Sequence, residues 1–554
     1  MSKLNSYADA LYHVKQGFLI FGLTGYTGSG CTSAARLLTR KDFIFPVEMD
    51  AESIEKKLVS EKINRELSGR PYLPFVHIEV SKLLYVLRVY FGSQVKKDDE
   101  AIVVAKKIGK LTNPQIALLK VFVDEKFEVS SAQAVKVLES YEKVTKGFGA
   151  FKNSFEKSKG QSNLNIFVKE MQDLGDNLRR YGTAFPNNET KELPDALYLV
   201  PEAIRRLIKL YRVGRSEKHF VVDAFRNPFE VEFFQRRYNE FYLVGIQRSI
   251  SERHAALAKA GMSNIFIAEL DKRERGKLAE GAIHKLCSQD IDECMRKANL
   301  FIENRDQEGF SLLRFRYWFG RFIALAKNPG CVPPTKDEFC MQIAVTGKHV
   351  SGCLSRRVGA AVAGSDGFVS GIGWNDPPEN QVPCSLRTCQ ELIVNANSKL
   401  FSTYERSDEF VSAISKKPDH HQPFCFKDEY SKIKSNERYA EFTRSLHAEE
   451  NALFQACRNV GQDIHGSTLY TTDRTCNLCA KKAYQLGVSR IVFVEDYTDI
   501  AIDQTIKAGY RAVVIEKFEG VLGSSYFKLY VPLMPEKDIM NIKLASQTLK
   551  SNQQ

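Results

Sequence analysis

Three candidate metal ligands and one carboxylate stand at a fixed spacing in the last quarter of the chain. His447 lies two positions before Glu449, and Cys476 and Cys479 follow as a Cys-x-x-Cys pair. One imidazole and two thiolates can hold Zn²⁺ and leave a fourth position for water. Bound Zn²⁺ lowers the pKa of that water toward neutrality. The spacing therefore predicts a catalytic zinc site, with Glu449 as the acid and base beside it.

The residues around the candidate ligands predict the elements that would bring them together. Strong helix formers with an apolar stripe fill 448–456, so His447 and Glu449 would lie in a first helical turn. Residues 467–472 predict a strand, and 480–486 a helix. Both thiols would then lie at a helix N-terminus, which favours negative charge. The alternative is an unrelated surface histidine and a structural or redox-active cysteine pair.

The motif matches the H-x-E…P-C-x-x-C pattern of zinc-dependent nucleobase deaminases, except that Thr475 replaces the proline. Threonine is a good N-cap, so we expect the helix to begin at this position. Residues 353–360 look like the C-x-x-R-(K/R)-V-G-A segment of the deoxycytidylate deaminase family. Residues 373–378 look like its G-Y-N-G-x-P loop. The resemblance covers about 335–520 and implies hydrolytic deamination of cytosine deoxynucleotides.

The same resemblance implies substrate contacts and a second metal site. It implies that Asn375 hydrogen-bonds the deoxyribose and that Arg356 or Arg357 helps to hold phosphate, for which an arginine fork is suited. Asn375 as a simple turn residue and the arginines as surface ion pairs remain alternatives. Cys353 and Cys384 match two ligand positions of the structural zinc that some family members carry. The remaining ligands would come from residues that differ from the family pattern: Cys389, His420, His421 or Cys425.

The surroundings of the motif predict a cytidine-deaminase-like α/β/α domain with a central mixed sheet. Residues 337–345 are expected to form the start of a helix, and 358–373 are expected to form a hairpin. Strands are expected at 490–494 and 511–515. Helices that alternate with apolar strands imply a sheet covered on both faces.

The N-terminal half predicts a phosphate-binding loop. An apolar strand at 18–23 leads into a glycine-rich turn that opens a helix, the context that a P-loop requires. Cys31 replaces the lysine that normally reaches the β- and γ-phosphates, whereas Thr32 remains available for Mg²⁺. The sequence thus favours nucleotide binding, with Mg²⁺, over phosphoryl transfer. The candidate nucleotide-binding residues are Gly25, Gly28, Ser29, Gly30, Cys31, Thr32 and Asp223.

Other segments of this half agree with a P-loop nucleotide-kinase-like fold. Asp223 ends an apolar strand at 220–223, and further buried strands are expected at 241–246 and 299–304. Residues 174–182 resemble the monophosphate-binding segment of nucleoside monophosphate kinases and dephospho-coenzyme A kinases. A polar, helix-rich insertion is expected near 80–165.

A chain of 554 residues is too long for one core. We predict an α/β protein with the kinase-like domain at 1–310, a linker at 311–334, the zinc domain at 335–535 and a polar tail at 536–554. This architecture resembles the bacterial anti-phage dCTP/dCMP deaminases. That resemblance implies depletion of dCTP in antiviral defence, a regulatory P-loop domain with its own nucleotide, a homo-oligomer, and inhibition by a small RNA in some members.

Composition leaves some functions open and disfavours others. The net charge of +12 suits phosphorylated substrates, nucleic acid or a solvated surface. No apolar run approaches the ~20 residues of a membrane span, and the N-terminus lacks a signal-peptide pattern. Twelve cysteines fit a reducing cytoplasm. The alternatives are a polynucleotide cytosine deaminase, a housekeeping dCMP deaminase for dTMP supply, and a bifunctional kinase whose zinc module only binds.

Overall fold

The computed structural model divides into two compact units. The first unit comprises Met1–Pro333 and Ser524–Gln554, and the second comprises Pro334–Gly523. Within these, the structure describes 18–41, 43, 53–68, 72–155, 163–277, 281–305, 310–434, 442–458, 464–495, 502–538, 540–542 and 544. Most of the predicted C-terminal tail lies outside the described residues.

Five strands of the first unit pair in the order β5-β4-β1-β3-β2, and every pair is parallel. The strands at the centre of this order are buried at every position, as expected when helices cover both faces of a parallel sheet. The predicted strands are confirmed, whereas β2 was not predicted because its four residues include two polar ones. The strands are β1 (Leu19–Thr24), β2 (Val76–Glu79), β3 (His219–Asp223), β4 (Phe241–Gln247) and β5 (Leu300–Glu303).

Fifteen helices of the described first-unit residues precede the second unit. Helices α3 to α7 lie within the range 80–165, and their role as an insertion into a kinase-like domain stays a prediction. The helices are α1 (Cys31–Leu38), α2 (Ile54–Ser68), α3 (Val80–Val95), α4 (Glu100–Gly109), α5 (Asn113–Ala117), α6 (Ser131–Lys146), α7 (Phe148–Asn153), α8 (Asn163–Tyr181), α9 (Leu199–Arg215), α10 (Pro228–Arg237), α11 (Ile250–Lys259), α12 (Asn264–Glu274), α13 (Ala282–Cys287), α14 (Ile291–Arg296) and α15 (Phe310–Lys327).

The segment predicted as a linker differs from that expectation. Residues 310–327 form α15, and its Phe319 and Phe322 side chains are fully buried. Helix α15 belongs to the first unit, and burial of these aromatic side chains stabilises it there.

The second unit contains a mixed sheet in the order β10-β9-β8-β6-β7. Strand β6 is antiparallel to β7 and β8, whereas β8, β9 and β10 are parallel to one another. The predicted α/β class and central mixed sheet are therefore confirmed, and the last predicted strand begins three residues later than expected. The strands are β6 (Gly359–Ala363), β7 (Val369–Trp374), β8 (Thr468–Asp473), β9 (Arg490–Glu495) and β10 (Val514–Lys517), followed by the short β11 (Gly520–Val521).

Helices pack beside this sheet and place the zinc motif. The helices on the sheet are α16 (Lys336–Lys348), α19 (Ala448–Arg458) and α20 (Asn477–Gln485). Helices α17 (Asp408–Ser415) and α18 (Phe426–Ile433) lie in the connection between β7 and α19, and α21 (Ser524–Tyr530) belongs to the first unit. Helix α19 lies directly on β7, because Gly373 has no side chain there. A Cβ atom at this position would collide with the backbone of Ala448 and Ala452. This close approach sets the position of the helix that follows His447.

The connection between β7 and α19 has a small core of its own. Arg387 is fully buried within it, forms an ion pair with Glu405 and lies over the rings of Phe401 and Phe424. The buried apolar side chains of this core are Cys389, Leu392, Phe401, Phe410, Ile414 and Phe424. Within the described residues, no helix of either unit is long and apolar enough to cross a bilayer.

Candidate metal centre

His447, Cys476 and Cys479 converge in the second unit. His447 directly precedes α19, Cys476 is the N-cap of α20, and Cys479 lies in the first turn of α20. The Nδ1 atom of His447 lies 3.3 Å from the Sγ atom of Cys476 and 3.4 Å from that of Cys479. The three elements predicted around the motif are therefore present, and they bring its three ligand candidates together.

The donor set fits a zinc ion. All three ligand atoms lie within 4.8 Å of one another. Tetrahedral Zn²⁺ with bonds of about 2.0 Å to nitrogen and about 2.3 Å to sulfur separates such ligand atoms by about 3.6 Å. Among the residues that the structure describes, this is the one group of three or more His, Cys, Asp or Glu side chains with ligand geometry.

The two thiols share a hydrogen bond that shifts their pKa values in opposite directions. The hydrogen bond from Cys479, together with that from His447, lowers the pKa of Cys476 to about 4. The same bond to Cys476 raises the pKa of Cys479, and hydrogen bonding to Cys476 raises that of His447. A zinc ion bound by the three side chains would displace the protons that they share.

Glu449 lies in the first turn of α19 and is buried. Burial raises the pKa of its carboxyl group to about 7, and the negative charge of Cys476 acts in the same direction. A group with a pKa near 7 can both accept and release a proton at neutral pH. The neighbouring Glu450 has a different task, since its carboxylate accepts the backbone N–H of His447 and pairs with Lys482.

Thr475, which replaces the proline of the motif, does not cap α20. Cys476 is the N-cap instead of the predicted Thr475, so the helix begins one residue later than expected. The Thr475 hydroxyl is buried and finds no hydrogen-bond partner among the described residues. Thr475 lines a small cavity together with Ala480, Ile491 and Phe493.

Arg356 joins two strand ends beside the centre. Its Nη2 atom donates to Asp473 at 2.6 Å and also pairs with Glu495. Burial raises the pKa of Asp473 to about 7, and the nearby Glu495 acts the same way. Arg357 is exposed. Phosphate binding by either arginine stays a prediction, and Arg356 would have to share its guanidinium with two carboxylates.

Asn375 ties the loop before β6 to the end of β7. Its Oδ1 atom accepts the Val358 N–H at 2.7 Å and the Ser351 hydroxyl at 2.9 Å, while its Nδ2 atom donates to the Arg356 carbonyl at 2.7 Å. The side chain is buried. Contact with a deoxyribose stays a prediction; the observed bonds show that Asn375 also fixes the loop that carries Arg356.

The candidates for a second zinc do not form a group of three within the described residues. The Sγ atom of Cys353 lies 3.4 Å from the Ser355 hydroxyl, and Arg444 donates to that of Cys384. Cys389 lies in the small aromatic core, whereas His420 and His421 are exposed. The stretch at 435–441, just ahead of His447, lies outside the described residues.

In the first unit, the glycine-rich turn lies between β1 and α1 as predicted. Gly30 has φ +105°, a left-handed conformation that favours glycine, and Cys31 begins α1 with its side chain buried. Thr32 and Asp223 line a common cavity of about 310 Å³. The other candidates of this loop, Gly25, Gly28 and Ser29, belong to the same turn.

Sequence reasoning missed two groups of charged residues. Asp473 and Glu495 carry no motif, and only the parallel pairing of β8 with β9 brings them to Arg356. Arg226 and Glu274 lie 48 positions apart, yet both contact Thr27 in the glycine-rich turn. No signal in the sequence could have revealed these partners, because each contact depends on how the strands and helices pack.

Comparison with known proteins matches the second unit. Residues 334–495 match the family described as "Cytidine and deoxycytidylate deaminase zinc-binding region". The chain is 30% identical over 171 residues to the deoxycytidylate deaminase of Enterobacteria phage T2, covering 29% of this chain and 81% of that protein. The deoxycytidylate deaminase of Enterobacteria phage T4 is also 30% identical over 171 residues, with 79% of its length covered. That of Saccharomyces cerevisiae is 26% identical over 165 residues, which span 39% of its length.

Proposed function

The chain belongs to the deoxycytidylate deaminase family of zinc-dependent hydrolases, and we propose that it converts dCMP, dCTP or both to uracil deoxynucleotides. The observation that carries this proposal is the convergence of one imidazole and two thiols beside the buried carboxylate of Glu449. Similarity to the deoxycytidylate deaminases of the two phages supports dCMP as a substrate.

Three residues of the site would bind the metal, and a fourth, Glu449, would transfer protons during the reaction. Hydrolysis adds water at C4 of the cytosine ring and releases ammonia. His447, Cys476 and Cys479 would hold the zinc ion, which would supply a bound water of lowered pKa. Glu449 can take a proton from that water, pass it to ring nitrogen N3, and then carry the second water proton to the leaving amino group. Its burial keeps bulk water from competing for these protons.

The biological role proposed here is depletion of dCTP during phage infection, under control of the first unit. The glycine-rich turn and the cavity lined by Thr32 and Asp223 support a nucleotide-binding, regulatory role for that unit. Cys31 in place of the lysine favours binding over phosphoryl transfer. The family resemblance extends the proposal to a cytoplasmic homo-oligomer that a small RNA can inhibit.

The test of the activity is incubation of the purified full chain with single substrates, with products identified by mass. The substrates are dCMP, dCTP, CMP, single-stranded DNA and RNA. We expect a gain of about 1 Da, from amine to carbonyl oxygen, in dCMP or dCTP and in neither polymer. Deamination of single-stranded DNA with both free deoxynucleotides untouched would instead establish a polynucleotide deaminase. Conversion of dCMP alone would favour a role in dTMP supply and would overturn dCTP depletion.

The regulatory role needs a cellular test. Thr32→Ala and Asp223→Asn are expected to reduce protection against phage, while turnover of purified enzyme without added regulatory nucleotide stays within about twofold of wild type. Unchanged protection by both variants would remove the regulatory proposal and leave the deaminase assignment standing.

A further inference from the structure

A carboxylate of the first unit already occupies the glycine-rich turn. The backbone N–H of Thr27 donates to both oxygens of Glu274, at 3.2 Å and 3.1 Å, and the Thr27 hydroxyl donates to the same group. Glu274 is fully buried. An N–H group of this turn thus holds an internal anion of the kind for which such turns are suited.

Arg226 is the counter-charge of this carboxylate. It forms an ion pair with Glu274 and donates to the Thr27 hydroxyl at 3.2 Å. It lines the same cavity as Thr32 and Asp223. Its positive charge also acts on the Cys31 thiol, so the guanidinium lies near the residue that replaces the P-loop lysine. Cys31 itself contributes no charge, because burial raises the pKa of its thiol.

We propose that Arg226 supplies the cation that Cys31 lacks, and that Glu274 holds Arg226 until the phosphate chain of a nucleoside di- or triphosphate displaces the carboxylate. This inference rests on the proposed nucleotide-binding role of the first unit and names the groups that exchange there. A guanidinium binds phosphate and carboxylate through the same fork of N–H groups, so the two anions compete for it.

The exchange would be coupled to movement of α12. Glu274 is the last residue of this helix, and Asp271, one turn earlier, pairs with the buried Arg253. Arg253 in turn donates to the Thr27 carbonyl at 3.1 Å. A phosphate that takes the place of Glu274 therefore breaks the contact that joins the end of α12 to the turn. Occupancy of the turn and position of this helix then change together.

The experiment measures binding of inorganic triphosphate to the zinc-loaded full chain by calorimetry. This probe carries no base or sugar and cannot be deaminated. We expect Glu274→Gln to bind triphosphate about tenfold more tightly than wild type, because Arg226 no longer has a competing carboxylate. We expect the double variant Arg226→Met/Glu274→Gln to fold, since no buried charge is left unpaired, and to lose this binding. The exposed Arg236 provides the matched control Arg236→Met, with wild-type affinity.

Thr32→Ala separates the two proposals. The exchange is supported if Glu274→Gln binds triphosphate more tightly than wild type while the double variant and Thr32→Ala show no binding. If Thr32→Ala binds triphosphate more weakly than wild type, but Glu274→Gln and the double variant bind it as wild type does, the exchange is overturned and the nucleotide-binding role of the turn stands. Absence of triphosphate and ATP binding in both wild type and Glu274→Gln would overturn both proposals.

Discussion

The Nδ1 atom of His447 lies 3.3 Å from the Sγ atom of Cys476, although 29 positions separate the two residues in the chain. The pairing of β6 with β7 and β8, together with the packing of α19 on β7, produces this proximity. Ligands that the fold already holds together lose little conformational freedom when they bind a metal.

Removal of one thiol should remove the metal. Cys479→Ala leaves two of the three candidate ligands, and we expect zinc content to fall from about one ion per chain to near zero, with loss of deamination. Elemental analysis of the purified variant measures the metal. Cys457→Ala is the matched control, because this cysteine is exposed on α19. Full zinc occupancy in Cys479→Ala would contradict the assignment.

Glu449→Gln should retain zinc and abolish turnover. The amide preserves the shape of the side chain but cannot take a proton from water, and loss of a general acid and base costs about 10²- to 10⁴-fold in rate. Ammonia release and zinc content are measured on the same sample. Glu409→Gln, an exposed carboxylate that pairs with Lys434, is the control. Wild-type turnover in Glu449→Gln would exclude the proposed proton transfer.

Two buried threonines near the centre should respond in opposite ways to removal of their hydroxyls. Thr475 has no hydrogen-bond partner among the described residues, whereas the Thr472 hydroxyl accepts the Gly359 N–H at 3.1 Å. Thr475→Val should therefore raise the free energy of unfolding by about 1 kcal/mol, and Thr472→Val should lower it by about 1 kcal/mol. Urea denaturation measures both. A loss of stability in Thr475→Val would indicate a polar partner for that hydroxyl.

Asp473 should make the second unit less stable as pH rises. Its folded pKa of about 7 lies above the unfolded value of about 3.9, so the folded protein holds a proton that the unfolded chain releases. This contribution is fully present below about pH 4 and is lost as pH rises to about 7, with a slope of at most about 1.4 kcal/mol per pH unit.

The variant Asp473→Asn should lack this contribution. Unfolding of both proteins between pH 5 and pH 7 measures it, and the difference between them reports Asp473 together with Glu495, which shares Arg356 with it. Asp419→Asn, at an exposed position, serves as the control. Identical pH dependence in wild type and Asp473→Asn would refute the raised pKa.

Sequence reasoning predicted the elements of the centre because its residues are local to them. His447 and Glu449 share one helical turn, as do Cys476 and Cys479, so short-range periodicity was sufficient. It did not predict that Asn375 bonds to Val358 and Ser351, nor that Arg356 pairs with Asp473 and Glu495. Ser351, Arg356 and Val358 lie in the loop before β6, so their contacts with the end of β7 and with β8 and β9 depend on how this loop packs against the sheet.

Helix α15 shows a second limit of sequence reasoning. Residues 311–334 separate two recognisable motifs, and this position suggested a linker. Yet the aromatic residues of this stretch bury their side chains in the first unit, with Trp318 packed beside Phe322. Distance between motifs is therefore a poor guide to a domain boundary when the intervening residues are apolar.

The return of the chain to the first unit at Ser524 determines how this protein can be dissected. The backbone leaves that unit after Pro333 and comes back as α21, where Tyr530 accepts a hydrogen bond from Arg321 at 3.1 Å. The second unit is thus inserted in the chain between two segments of the first unit. A fragment that ends at residue 333 would lack α21, a native helix of the first unit. Removal of the second unit without loss of α21 therefore requires two cuts in the chain and a short peptide that joins Pro333 to Ser524.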